Sequence, residues 1–329
     1  MQISSIVDIV EGELLNTPSI SFIYNIKTNI TKVHEGDLFI TNNQDEIPEA
    51  IGKGAFGVIF DSDIPITDKE IAWIKVHDIN DALSKLLRFK LSTYELNAYY
   101  CNDFTFELLN LFVKNNDNSI KLISDNLKDE INSLDDLEYC KTIICSDQNI
   151  LNKIYPNNSN FNNEKFVVQN LIEHSLFETS FSYKEHYFSR LRLSSLYIND
   201  FLKVYTFFKN GLDSLKLKKS TTFKPLFIDK YFKNIEHGYS DKFIIAQMYD
   251  NLAAAEIKYI QNKYKYAKTF IFSKNELYVS PITPVHIIKN LDEIKKALTG
   301  KKFNAVYILG FTRDEIDSFI KKSSTKSLL

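Results

Sequence analysis

Glycine and proline are scarce in this chain of 329 residues, which holds nine and seven of them where average usage would place roughly 23 and 16. No glycine occurs from Val58 to Asn210, which excludes from that stretch any glycine-rich loop that closes bare amides on a phosphate. There are three cysteines, Cys101, Cys140 and Cys145, an odd number that argues against a disulfide framework. The opening MQISSIVDIVEGE carries acidic residues and no basic stretch, so no signal peptide is expected. Uncharged apolar runs fall short of the ~18 residues of a membrane span. The compartment therefore reads as reducing cytosol. Forty Lys+Arg stand against 42 Asp+Glu, a formal charge of −2. That balance lacks the basic surplus of a nucleic-acid binder.

What the chain has is alternation. From Ser19 to Val76 short extended segments surround one helix: SISFIYNI, a turn at Glu35-Gly36-Asp37, DLFIT, a helical IPEAIGKG, then AFGVIFD and IAWIKV. A helix follows in INDALSKLLRFKLS. The strand LNAYYCND leads into the helix FTFELLNLFVKN, capped by Asn102 or Asp103. SIKLIS, DEINSLDDL and KTIICSD then repeat strand, helix, strand, the pattern of a parallel sheet flanked by helices. The Asn-rich NILNKIYPNNSNFNNEKF reads as a loop, SLFETSFSYKEHYFSRLRL as a hairpin about YKEH, and INDFLKVYTFFKN as a helix. The last third cycles through FIIAQMY, NLAAAEIKYIQNKY, AKTFIFS, LDEIKKALTG, NAVYILGF and TRDEIDSFIKK, a further α/β unit.

The order VHEGDLFIT, IPEAIGKGAFGVIFD, IAWIKV resembles the amino-terminal domain of the Mur ligases, ATP-dependent enzymes that add amino acids or dipeptides to UDP-N-acetylmuramoyl precursors of peptidoglycan. Gly36, Asp37, Leu38, Phe39, Glu49, Ala50, Gly54, Ala55 and Val76 occupy the matching places. SDNLKDEINSLDDL resembles a segment of the D-alanyl-D-alanine-adding branch, keeping Asn126, Leu127, Glu130 and Ile131. LSSLYINDFLKVYTFF retains Asn199, and FIIAQMYDNLAAAEIKYI retains Tyr249 and Asn251.

The resemblance implies an α/β fold of three domains, at 1–93, 94–222 and 223–329, with a shortened central parallel-sheet domain and a Rossmann-like carboxy-terminal one. It also implies chemistry that needs a glycine-rich phosphate loop between LNAYYCND and FTFELLNLF. Tyr100, Cys101, Asn102, Asp103 and Phe104 fill that place, a carboxylate and an aromatic ring where phosphate would sit. Thr105 reads as a remnant magnesium-binding hydroxyl or as a plain cap or surface residue. The magnesium-holding Glu expected at the end of the next strand is replaced by Ile144, Cys145 and Ser146, with Asp147 as a substitute or a cap. Asn170 and His174 faintly echo a further family stretch; a strand-face histidine is the alternative. On the substrate side Tyr24, Asn25, Ile26 and Lys27 replace one motif and Asn43, Gln44 and Asp45 another. Lys27 and Lys32 are left as diphosphate contacts or as solvent-facing lysines.

Cys140 and Cys145 lack a second ligand pair at zinc spacing. Asp135, Asp136 and Glu138 read as a solvated helix face, and Lys321, Lys322 and Lys326 as a solvated terminus. The expectation is a Mur-ligase-like pseudo-ligase that binds a UDP-N-acetylmuramoyl peptide or a cell-wall synthesis enzyme, with no catalytic residue, cofactor, nucleic acid or membrane insertion. Its candidate ligand residues are Lys27, Lys32, Asn126, Glu130, Asn199, Tyr249 and Asn251. Two alternatives stay open: an active D-alanyl-D-alanine-adding ligase using ATP and magnesium in a rearranged site, and a scaffold unrelated to the cell wall.

Overall fold

The computed structural model describes residues 1–113, 118–133, 137, 139–209, 211–229, 231–236, 239–275 and 284–325. The chain divides into two compact units, one of residues 1–102 and 113–163, the other of residues 103–112 and 164–329.

The first unit opens with α1 (Ile3–Val10), whose Ile3, Ile6 and Val10 recur at helical spacing and are buried. Five short strands form a sheet: β1 (Glu13–Leu14), β2 (Ile26–Lys27), β3 (Leu38–Ile40), β4 (Gly57–Phe60) and β5 (Ala72–Lys75). Their order is β1-β5-β4-β3-β2, with β1 antiparallel and the others parallel. The predicted strand SISFIYNI survives as β2 and an isolated bridge between Gln2 and Phe22. Between β3 and β4 runs α2 (Ile47–Gly52), as the sequence suggests. The long α3 (Ile79–Leu91) is capped by Asp78, whose carboxylate accepts from the Asp81 amide at 2.7 Å.

Strand period two sorts the first sheet into two faces. Leu38, Ile40, Ile59, Ala72 and Ile74 pack with α1 and α3, while Phe39, Val58, Phe60 and Trp73 form a separate cluster with Ile47 and Ala50 of α2. The far side of α3 serves a second, fully parallel sheet made of β6 (Asn97–Tyr100), β7 (Ile120–Ile123), β8 (Thr142–Cys145) and β9 (Asn158–Asn160), ordered β7-β8-β6-β9. The helix after β6 is α4 (Asp103–Phe112), which belongs to the second unit. In the first unit α5 (Leu127–Ser133) follows β7 and α6 (Gln148–Ile154) follows β8.

Helix α6 and strand β9 lie within the segment expected to be a loop. Asparagine is a poor helix and strand former, but Leu151 and Ile154 are buried against the core, and Asp147 caps α6 by accepting from the amides of Asn149 and Ile150 at 2.7 and 2.9 Å. Tertiary burial overrides local propensity here.

In the second unit the expected hairpin, β11 (Glu178–Tyr183) and β12 (His186–Leu191), is joined by an earlier strand, β10 (Gln169–Ser175). Helix α7 (Ile198–Phe207) packs its Phe201 and Tyr205 against Phe188, with ring centroids 5.4 and 5.1 Å away and planes nearly perpendicular. The carboxy-terminal sheet comprises β13 (Leu226–Phe227), β14 (Phe243–Gln247), β15 (Thr269–Ser273), β16 (Val285–Ile287) and β17 (Ala305–Leu309), with helices α8 (Asp250–Lys263), α9 (Asp292–Leu298) and α10 (Arg313–Thr325). Its order is β13-β14-β17-β15-β16, with β13 alone antiparallel. The edge strands β13 and β16 carry two and three residues, too few to show a period. Among the described residues no helix is long and apolar enough to cross a membrane.

The Glu35-Gly36-Asp37 turn shows how the first sheet is set. Asp37 is 1% exposed, and its carboxylate accepts from the His34 amide at 3.0 Å and the Asn25 side chain at 3.1 Å. Asp37→Ala strands both donors and is expected to lower stability by about 1–3 kcal/mol, measured by urea unfolding through the fluorescence of Trp73, the single tryptophan.

Candidate functional site

In the carboxy-terminal sheet, Ile244, Val306 and Ile308 share a core with Ile294, Ile316 and Ile320 of α9 and α10. The alternate residues Gln247 and Tyr307 meet Glu256 of α8. The helices that follow the adjacent parallel strands β14 and β17 thus leave to opposite faces. A strand pair of this kind opens a crevice at its carboxyl ends, the usual ligand position in open α/β sheets. A cavity of about 230 Å³ lies there, lined by Gln247 at the end of β14, Met248 and Tyr249 just after it, Thr312 and Arg313 after β17, and by Glu107, Thr221 and Thr222.

The crevice floor is a hydrogen-bond knot. Glu107 of α4 accepts from Ser220 Oγ at 2.8 Å, from the Thr221 and Thr222 amides at 2.6 and 3.2 Å, and from the Thr222 hydroxyl. A carboxylate offers about four lone-pair sites, and this one segment occupies them. The rest of the first turn of α4 is engaged too. Phe104 is buried and stacked on Tyr197 at 3.9 Å, Thr105 donates its hydroxyl to Asp200 at 3.2 Å, and Asp103 accepts from Asn251 at 2.8 Å. Thr105, expected as a cap, a surface residue or a metal-binding remnant, is 1% exposed and packed inward. Strand β6 ends at Tyr100 and α4 begins at Asp103, so only Cys101 and Asn102 connect them. The Cys101 amide donates to Cys145 O at 3.0 Å.

Beneath the crevice Glu256 is fully buried. It accepts from the hydroxyls of Tyr197 and Tyr307 and from Gln247 Nε2 at 3.0 and 3.1 Å. Burial nonetheless dominates, pushing its pKa up to about 7, with the donors opposing the rise. Burial and the adjacent Glu256 carboxylate raise the Tyr197 phenol, which stays a donor.

The residues expected at a site fall in both units. In the first, Lys27 ends β2 and Lys32 is exposed in a short 3-10 turn. The neighbouring Thr28 ties β2 to α5 by donating to Lys128 O at 2.6 Å and accepting from Asn132. Asn126 donates to Asp129 at 2.7 Å at the start of α5. Glu130 is buried, accepting from Ser124 N and Oγ at 2.9 and 2.8 Å, with Lys121 at 3.4 Å. In the second unit Asn199 accepts from the Phe166 amide at 3.0 Å, Tyr249 stands at the crevice mouth, and Asn251 holds Asp103. His174 is exposed on β10 and bonds Ser180 Oγ at 2.7 Å. All three thiols are buried, and burial pushes Cys145 up to about 11. Asp135, Asp136, Glu138 and Lys326 lie outside the described residues. Among the described residues no three of His, Cys, Asp and Glu assemble as a metal-binding group.

Sequence reasoning missed Glu107, Thr222, Arg313 and Glu256. One signal existed: Glu256 lies four residues from both Leu252 and Ile260, a carboxylate within the apolar stripe of α8. The others depend on pairings across about a hundred residues and carry no local mark.

No protein-family model matches the chain, and no curated protein matches it. Solved structures do share its architecture. A MurF ligase from Thermotoga maritima, in complex with ADP, is 15% identical at a TM-score of 0.50, covering 92% of this chain and 98% of its own. MurF from Acinetobacter baumannii is 10% identical at a TM-score of 0.52, covering 98% of both chains. A UDP-N-acetylmuramoylalanyl-D-glutamyl-2,6-diaminopimelate–D-alanyl-D-alanyl ligase from the same organism is 10% identical at 0.51, covering 99% and 98%. The chain has the multi-domain α/β fold of these ligases.

Glu256 makes stability depend on pH. Between the ordinary carboxyl value of 4.5 and about 7 the folded protein holds this proton more tightly than the unfolded chain. That contribution is full below the lower value and lost as pH rises through the upper, about 3 kcal/mol in all at 1.36 kcal/mol per pKa unit. Glu256→Gln, urea-unfolded at about pH 5 and about pH 8, is expected to lose most of the wild-type difference.

Proposed function

We propose that this chain is a non-catalytic Mur-ligase-like protein, a pseudo-ligase that supports peptidoglycan precursor synthesis by binding a precursor or a partner enzyme. The observation that carries the reading is the state of the first turn of α4. A triphosphate cradle needs bare backbone amides and a hydroxyl free for magnesium. Here two residues join strand to helix, Phe104 is packed under Tyr197, the Thr105 hydroxyl is given to Asp200, and Glu107 is enclosed by Ser220–Thr222. These residues do not fit ATP and magnesium. At the end of β8, in the first unit, the Cys145 thiol is buried and the Asp147 carboxylate caps α6.

What remains suits binding. The crevice after β14 and β17 offers the Arg313 guanidinium and an exposed rim of Met248 and Tyr249, a surface for a polar peptide or a protein segment. The three-domain division at 1–93, 94–222 and 223–329 and a cytoplasmic location belong to the same proposal.

Calorimetric titration separates the readings. ATP with magnesium is expected to give no binding heat and no ADP, whereas a UDP-N-acetylmuramoyl tripeptide or a peptidoglycan ligase gives a saturable signal. Micromolar affinity for ATP with release of ADP would mean an active enzyme.

A further inference from the structure

The second unit holds another cavity, of about 220 Å³, which shares Thr222 and Arg313 with the lining of the crevice and Ser220 with its floor. Its walls are aromatic. Phe177 meets Phe223 at 5.2 Å and Phe227 at 6.4 Å between ring centroids, and Tyr197 adds a further ring. Three cations, Arg192, Lys224 and Arg313, also line it, and none of its described lining residues is acidic.

Among the described residues no carboxylate forms a direct ion pair with any of the three cations. Lys224 donates to the backbone oxygen of Lys218 at 2.7 Å. Arg313 donates to the backbone oxygens of Lys224 and of Pro225, the latter at 3.3 Å. Arg192 makes no hydrogen bond or ion pair among the described residues and is exposed. Of the carboxylates nearby, Glu107 is enclosed by Ser220–Thr222, Asp317 pairs with Lys321 at 2.5 Å and Glu178 with Arg190 at 2.8 Å; Asp314 acts on Arg313 only through space, against the burial that lowers its pKa, and Glu236 shares a neighbouring cavity with Arg192. Burial first, then Arg313 and Arg192, lower the Lys224 pKa, with Glu107 opposing. Like charges held together against apolar walls are costly unless an anion completes them. Aromatic walls with a few convergent charged groups are the makeup of a small-molecule site.

We propose that this cavity binds a small amphiphilic anion, an aryl phosphate or aryl carboxylate, with its head against Arg192, Lys224 and Arg313 and its flat body between Phe177, Tyr197, Phe223 and Phe227. The inference goes beyond the pseudo-ligase reading and does not require it. The cations supply charge-assisted hydrogen bonds to the head, and the rings supply apolar and stacking contact.

Phenyl phosphate and benzoate are the probes, titrated calorimetrically into the full chain, with inorganic phosphate and phenol as controls. At least one aryl anion is expected to bind, and the tighter of the two identifies the head group. Inorganic phosphate and phenol are each expected to bind at least about tenfold more weakly, since each keeps only one half of the interaction. Arg192→Ala is expected to weaken the aryl anion by about tenfold without moving the unfolding midpoint, because that side chain has no structural bond. Lys224→Met, which keeps an apolar stem, gives the second test in the same direction. Failure of both aryl anions to bind at millimolar concentration overturns the proposal. So does unchanged affinity in both variants, or inorganic phosphate binding as tightly as phenyl phosphate. None of these results bears on whether ATP is turned over.

Discussion

A carboxylate has few places at which to accept hydrogen bonds, and Glu107 gives them to one short segment, Ser220–Thr222. That knot, with the Phe104–Tyr197 stack and the Thr105–Asp200 bond, fastens the first turn of α4 into the packing of the second unit. Three residues within four positions of one helix are thereby committed to structure. A phosphate cradle needs bare backbone amides, whereas the side chains of this turn are committed to packing and hydrogen bonds within the second unit.

The knot does not act alone. Tyr197, stacked on Phe104, also donates to Glu256, which collects Tyr307 and Gln247 as well. One buried carboxyl therefore joins α8, the centre of the carboxy-terminal sheet and Tyr197 at the start of α7, and the stack of Tyr197 on Phe104 extends the link to α4. Such a group is costly to bury and strongly destabilising to leave without its donors, so the network favours a single arrangement of these elements. Its price is sensitivity to pH, since the proton on Glu256 is held near neutrality.

Much of the architecture was legible because the chain is written in clear periods. The strands KTIICSD, FIIAQMY and NAVYILGF and the helices INDALSKLLRFKLS and NLAAAEIKYIQNKY stand where their patterns predict, and the GDLF turn sits where Asp37 can brace it. The misses have physical causes. Helix α6 and β9 hide in asparagine, whose weak propensity is outweighed by Leu151, Ile154 and the Asp147 cap. Strand β10 is largely exposed and lacks an alternating pattern. The site was less legible than the fold. The absence of glycine was visible at once, but what fills the space depends on pairs such as Glu107 with Thr222 and Phe104 with Tyr197, which no local window contains.

A crystal structure of the protein grown with ADP and magnesium addresses the central claim most directly. The expected result is Phe104 still stacked on Tyr197, the Glu107 carboxylate still held by Ser220–Thr222, and no nucleotide at Cys101–Thr105. Phosphate oxygens on the amides of Asn102 to Thr105, with a magnesium ion on the Thr105 hydroxyl, would contradict it.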